Sequence, residues 1–228
     1  MSIAPKYYYL LALIGSVFFP LILSFDSKVN FKQYFNQLFK SVPLVGIPFI
    51  VGDIIYTYLG VWGFNSKYHL SGSLINLPWE EVGFFLIIPF ACVFIYEVVQ
   101  AYFKLNESKY LDKGLLVIAL TFAILALLFT ERLYTTATYS FTSLILLYLR
   151  WKRPSFRLKL LFAFLLSLIP FILVNGFLTG MFTPEPIVWY NNLENLGVRV
   201  FTIPIEDFSY SFNLIALNII LHEYFKAR

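Results

Sequence analysis

The chain has 228 residues, of which 59% are hydrophobic and 13% charged, and its mean hydropathy is +0.74. Soluble globular domains carry about 25% charged residues, so this composition excludes a water-soluble body and indicates a membrane protein. The formal net charge is +4. Its basic residues lie in short loops between apolar segments, a pattern that belongs to membrane topology and not to nucleic-acid binding.

Seven segments are long and apolar enough to span a bilayer, because a spanning helix needs about 20 largely apolar residues. In chain order they cover approximately 5–25, 41–60, 78–103, 113–131, 133–150, 158–179 and 204–226. The first segment resembles a secretory signal, but only Lys6 precedes it and no clean small-residue cleavage site follows. We interpret it as the first span, so the chain is predicted to be an all-α integral membrane bundle.

The distribution of Lys and Arg predicts how the bundle is oriented. With the N-terminus outside, thirteen of these residues fall on the inner side and four on the outer side. The inner residues are Lys28, Lys32, Lys40, Lys104, Lys109, Lys113, Arg150, Lys152, Arg153, Arg157, Lys159, Lys226 and Arg228. We therefore expect a multi-pass protein of the cell (inner) membrane, with its N-terminus outside and its C-terminus cytoplasmic.

Two distant stretches repeat the same features. The string IPFI at 47–50 is followed by Asp53, and IPFI at 169–172 is followed by Asn175 at the same offset. Each stretch leads into an outer loop of similar length that contains Gly and Trp. This internal similarity predicts that the chain is built from two copies of one unit.

An acidic motif begins the last span of each copy: LPWEE at 77–81 and IPIED at 203–207. The predicted organisation is therefore a three-helix repeat in 1–104, a linking transmembrane helix in 105–132 and a second three-helix repeat in 133–228. An odd number of spans per repeat plus one linking span makes the two repeats parallel.

Acidic side chains at membrane depth are costly and are candidates for function. The candidate catalytic residues are Glu80, Glu81, Glu206 and Asp207, and the supporting polar residues are Asp53, Asn175, Glu97 and Glu223. Glu97 and Glu223 stand nearer the cytoplasmic ends, where snorkelling or pairing with Lys104 or Lys226 is an equal alternative to a functional role. Pro followed by acids is also an ordinary helix start, but adjacent acids at the same place in both repeats favour function. Neighbouring helical residues point about 100° apart, so at most one acid of each pair faces the bundle axis. Clustered carboxyl groups often share a proton, which lets one donate while another accepts.

Several aromatic residues stand beside the acidic motifs, and their ring faces could stabilise a carbocation. These are Trp79, Phe84, Phe85, Trp189, Tyr190 and Tyr210. His69 and His222 are isolated, no spacing predicts a metal site, and His222 is expected at the membrane interface. The sequence contains no G-x-G-x-x-G, no P-loop and no G-x-S-x-G, so no cofactor is expected.

The strings LPWEEVGFF at 77–85, IPIEDFSYSF at 203–212, NGFLTG at 175–180 and PIVWY at 186–190 resemble the membrane-integral lycopene cyclases of the heterodimeric type. In that family two homologous three-helix subunits act together or are fused, and this chain resembles the fused form. The resemblance implies that the ψ-ends of lycopene become β-ionone rings, giving γ-carotene and then β-carotene by a proton-in, proton-out reaction. It also implies a carotenoid substrate and membrane lipid as partners, with other carotenoid-pathway enzymes as candidate partners.

Two alternative functions remain open at this point. One is a related cyclase that makes another ring type or acts on another carotenoid. The other is a non-enzymatic carotenoid-binding or transport bundle, because intramembrane acids also serve proton-coupled transporters. The sequence leaves open which carboxyl group is the acid and which the base.

Overall fold

The computed structural model describes residues 3–228, so the first two residues of the predicted repeat 1–104 lie outside the described range. Within this range the chain forms seven α-helices. These are α1 (Tyr8–Leu23), α2 (Phe35–Tyr58), α3 (Trp79–Tyr102), α4 (Leu111–Leu128), α5 (Leu133–Lys152), α6 (Arg157–Leu178) and α7 (Ile205–Lys226). The predicted fold class, an all-α membrane bundle of two parallel three-helix repeats with a linking helix, is confirmed.

Helices α3 and α7 form the centre of the bundle. In each repeat the first helix packs on the third, α1 on α3 and α5 on α7. The second helices cross over, since α2 packs on α7 as well as on α3, and α6 packs on α3 as well as on α7. Helix α4 packs mainly on α5. The cross-packing of α2 and α6 joins the two repeats into one body.

Five helices, α1, α2, α3, α4 and α6, are long and apolar enough to cross a membrane. Helices α5 and α7 are more polar, and polar side chains of both form hydrogen bonds to other helices. The Thr142 hydroxyl donates to Asn213 Oδ1 at 2.9 Å, and the Ser143 hydroxyl donates to the Ala119 carbonyl at 2.8 Å. Small hydroxyl residues at helix contacts are typical of membrane bundles, where they allow close approach and interhelical hydrogen bonds.

Six short strands, which the sequence analysis did not predict, shape the loops beside the acidic motifs. They are β1 (Trp62–Phe64), β2 (Ser73–Leu74), β3 (Leu77–Pro78), β4 (Val188–Tyr190), β5 (Arg199–Val200) and β6 (Ile203–Pro204), and all pair antiparallel. Strand β1 of the first repeat pairs with β4 of the second. Strands of two or three residues are too short to show the alternation on which strand prediction depends.

The same hairpin precedes both central helices. β2–β3 and β5–β6 turn at Ile75 and Phe201, whose φ angles are 61° and 57°. The motif prolines, Pro78 and Pro204, which the sequence predicted as the first helical residues, are the N-cap residues, so each helix begins one position later. Because residues with side chains rarely adopt positive φ, its recurrence at equivalent positions shows that the repeat extends into the loops.

We call the end of the bundle where α3 and α7 begin the motif end, and the other end the basic end. At the basic end the buried Arg157 donates to Glu107 at 2.8 and 2.6 Å and to Asp112 at 2.8 Å. These bonds hold the pKa of Glu107, in the loop between α3 and α4, below its usual value. Glu107 is therefore ionised at neutral pH, and Arg157 ties this loop and α4 to α6.

Replacing Arg157 by Met should lower the free energy of unfolding by about 2 kcal/mol, because Glu107 loses its charged partner and Asp112 keeps only Arg153. Thermal unfolding of the detergent-solubilised protein measures the change. Lys152→Met removes a nearby exposed charge and should change the melting temperature little. Equal melting temperatures for the Arg157 variant and the unmodified chain would contradict this role.

Candidate active site

The first acid of each motif binds the loop that precedes its helix. Glu80 Oε1 accepts the Leu70 backbone N–H at 2.7 Å. Glu206 Oε1 accepts the Leu196 N–H at 2.8 Å, and it also accepts the Thr135 hydroxyl at 2.6 Å. In both repeats the partner amide lies ten residues before the acid. These two candidate residues therefore anchor the loops that precede α3 and α7.

The second acid of each motif faces the interior. Glu81 and Asp207 are 8% and 4% exposed, and both line one cavity of about 130 Å³ between the repeats. The Tyr9 hydroxyl, at the start of α1, donates to Glu81 Oε2. The Tyr134 hydroxyl, at the start of α5, donates to Asp207 Oδ1 at 2.5 Å. Equivalent tyrosines thus orient equivalent acids.

Asp207 accepts three hydrogen bonds. Tyr134 donates to Oδ1, while Asn175 and Tyr190 donate to Oδ2 at 2.7 and 2.9 Å. Three donors on one carboxyl group stabilise its ionised form. Burial, and the Asp207 charge beside it, raise the pKa of the Tyr190 phenol, which lies on strand β4. Tyr190 therefore stays protonated as a donor to Asp207.

Glu81 has a second carboxyl group beside it instead of an amide. Asp53, on α2, occupies the position that Asn175 occupies on α6, and it lies next to Glu81. The Trp62 indole N–H donates to Asp53 Oδ1, and no donor reaches Oδ2. Two adjacent carboxyl groups in an apolar cavity are not both ionised, because desolvation and like charge both oppose it. The Asp53–Glu81 pair is thus suited to hold one proton.

The cavity extends from these acids into the bundle along apolar side chains. On α3 the lining runs from Glu81 to Ile95, which is about 21 Å of helix. Phe171 on α6 and Leu214 on α7 line it from the other sides. We call the end of the cavity at these acids its head. The Asp53–Glu81 pair at the head can hold one proton, and Asp207 beside it is suited to ionisation. This arrangement can protonate one atom of an apolar molecule and remove a proton from another.

Three aromatic rings stand around the acids. The ring centroids of Trp62 and Tyr134 lie 5.1 Å apart, those of Trp62 and Tyr210 6.1 Å, and those of Tyr134 and Tyr210 6.0 Å. All three residues line the cavity. Ring faces attract a positive charge more strongly where water is excluded, so this cluster can stabilise a cation formed at the head of the cavity.

Comparison with known proteins identifies the chain. The sequence model of the lycopene cyclase family matches residues 6–99 and 131–225, which is most of the chain. The chain belongs to the lycopene cyclase family. No curated protein and no solved structure matches it. Each matched segment contributes one acidic motif, and in this cyclase both motifs reach the same cavity.

The predicted aromatic residues of the cyclase divide into two groups. Phe84, Phe85, Tyr190 and Tyr210 line the cavity. Trp79 and Trp189 are 55% and 44% exposed and lie outside it. Their indole rings cover Gly72 and Gly63 in the loops, where no Cβ atom would fit beside them. The two tryptophans therefore pack on the loop backbone at the motif end.

Sequence reasoning missed Tyr9, Tyr134 and Trp62. A signal for the tyrosines was present, because they occupy the same place at the starts of α1 and α5. Trp62 has no such signal. Its place in the site depends on the pairing of β1 with β4, which sets it opposite Tyr190. Their roles depend on the fold of the loops.

Glu97 and Glu223 lie at the basic end of the cyclase, far from the motif acids. Lys226 Nζ donates to one oxygen of each glutamate at 2.8 Å, and His222 Nε2 lies 2.8 Å from Glu97 Oε1. His222 is fully buried among the helices, and its expected place at the level of the membrane interface stays a prediction. Glu97, His222 and Glu223 offer ligand atoms within 4.8 Å of one another, a grouping that no sequence spacing indicated. Lys226 already provides the positive charge that these carboxylates need.

Proposed function

We propose that the protein is a lycopene β-cyclase that converts the ψ-ends of lycopene into β-ionone rings, giving γ-carotene and then β-carotene. The observation that carries the proposal is the meeting of Glu81, Asp53 and Asp207 at the head of one apolar cavity. Family membership supports a cyclase, and the acids support a reaction that gains and loses one proton.

The proton held by the Asp53–Glu81 pair is delivered to C2 of the terminal isoprene unit of lycopene. The C5–C6 double bond then attacks the tertiary cation at C1, which forms the ring bond C1–C6 and leaves the cation at C5. The Asp207 carboxylate accepts the proton that leaves C6, and the C5–C6 double bond is restored. One proton enters and one leaves, so the product is an isomer of the substrate.

The surroundings of the acids favour this reaction. Trp62, Tyr134 and Tyr210 present rings to the cation, and the apolar lining excludes water that would trap it as an alcohol. Lycopene is insoluble in water, so it reaches the cavity from the lipid. In this proposal the motif end lies at the outer face of the cell membrane, which the excess of Lys and Arg predicted for the inner side supports.

Expression of the chain in cells that accumulate lycopene tests the function. We expect γ-carotene and β-carotene in the pigment extract, and unchanged lycopene from a confirmed membrane-inserted chain would refute the proposal. Cyclisation in D₂O tests the mechanism, because protonation at C2 should leave one deuterium in each ring. Cyclic product without deuterium would exclude an exchangeable carboxylic acid as the proton donor.

A further inference from the structure

The cavity lies on one side of the paired repeats. Below its acidic head it runs along α3 and α6, and it reaches Ser16 on α1. The corresponding space of the other repeat would run along α7 and α2 toward α5. Aligning Tyr9 with Tyr134 makes Ser16 equivalent to Phe141, and aligning Glu81 with Asp207 makes Ala91 equivalent to Leu217. The two sides therefore differ in the volume of equivalent side chains.

Larger residues fill the corresponding space. The Phe49 ring centroid lies 5.3 Å from that of Tyr210 and 6.4 Å from that of Phe141. Leu217 packs into the same cluster as Phe49 and Val45. The equivalent of Val45 on the open side is Ser167, which lines the cavity with Ser16 and Ala91. Small residues at these three positions leave room that their counterparts occupy.

The reactive acids lie at the head of the open side. Asp53 is 1% exposed and lines the cavity beside Glu81, with which it shares a proton in the proposed mechanism. Both motifs lie at this head, since Glu81 and Asp207 line the same cavity. One set of acids thus serves one channel, although the sequence contains two copies of the motif.

We propose that this single channel, kept open by Ser16, Ala91 and Ser167, takes the two ends of a linear carotenoid one after the other. The proposal rests on the cyclase function proposed above. The channel, which follows about 21 Å of α3, holds one end of the polyene, and the rest extends into the lipid. After the first ring closes, the unreacted end is the end farthest from Glu81 and Asp207. The monocyclic carotene must therefore leave the channel and bind again by its other end.

Exchanging residues between the two sides tests the channel. Ser16→Phe and Ala91→Leu introduce the residues of the filled side, and each should lower the cyclisation rate at least tenfold. Phe141→Ser enlarges the filled side, which holds no substrate in this proposal, so it should retain the unmodified rate and product pattern. Full activity of Ser16→Phe, or equal loss in Phe141→Ser, would overturn the assignment.

Binding separates this proposal from the proposed function. Lycopene bound by the purified, detergent-solubilised chain is measured from its visible absorption. Ser16→Phe should lower the bound amount at least tenfold, whereas Phe141→Ser should leave it unchanged, whether or not the chain cyclises. Equal binding by both variants would refute the channel even in an active enzyme.

A competition experiment tests the two separate binding events. Because released γ-carotene competes with lycopene for one channel, excess lycopene should raise the ratio of monocyclic to bicyclic product. Added γ-carotene should be converted to β-carotene and should slow the consumption of lycopene. A product ratio that does not change with lycopene concentration would show that both ends react without release.

Discussion

Replacing Glu81 by Gln should lower the rate of lycopene cyclisation by about 10³-fold, because general acid catalysis contributes about 10²- to 10⁴-fold. Gln has nearly the shape of Glu and can still accept the Tyr9 hydrogen bond, but it cannot deliver a proton. The measurement is the initial rate of cyclic carotene formation in membranes that contain equal amounts of inserted protein.

Glu80→Gln is the matched control, because it makes the same chemical change one residue away. Glu80 accepts the Leu70 backbone N–H from the loop before α3, and an amide oxygen accepts that bond as well. We expect this variant to keep its rate within about tenfold, since it loses only the charge on a bond of one to three kcal/mol. The assignment of the proton donor fails if the two variants lose activity equally.

Much of the fold could be predicted from the sequence, because the lipid environment restricts it strongly. Spans must be helical and about 20 residues long, so the apolar segments give the number and order of the helices. The prolines at 48 and 170 mark equivalent helices, since each is the second residue of an IPFI string and stands five residues before Asp53 or Asn175. Helix α2 nevertheless begins at Phe35 instead of residue 41. The predicted start is too late because the first turns of the helix are polar and do not resemble part of a span.

The direction of each motif acid could not be predicted. Residues 100° apart are equivalent choices until the neighbouring helices are placed. The choice depends on loops that fold back by ten residues to donate to Glu80 and Glu206. It also depends on tyrosines from α1 and α5 that reach Glu81 and Asp207. Both contacts are tertiary, and no local pattern reports them.

The cavity and the distant glutamates could not be predicted for a similar reason. The open side exists because Ser16 and its neighbours are smaller than Phe141 and its neighbours, a difference that matters only once the repeats are paired. Glu97 shares the spacing of Glu223 from the motif, which left a role with the motif acids and pairing with Lys226 equally open. Sixteen residues of helix, however, separate each from its motif by about 24 Å.

Replacing Asp207 by Asn should lower the cyclisation rate by about 10²- to 10³-fold and should also change the rings that form. Asp207 is the proposed base, and its three donors hold it beside the cavity. Asn cannot take the C6 proton, so the cation at C5 persists and loses a proton from C4 or from the methyl group instead. The small amount of product should therefore contain ε- or γ-rings, which chromatography and NMR distinguish from β-rings.

This change in ring type separates the base from a structural role. Glu206→Gln, the control in the same motif, keeps an acceptor for Leu196 and Thr135 and should make only β-rings. Glu81→Gln should also make only β-rings, because loss of the acid slows formation of the cation and leaves the base intact. If Asp207→Asn retained pure β-ring product at a reduced rate, the role of Asp207 would be to position the side chains of Tyr134 and Tyr190. Another group would then remove the C6 proton.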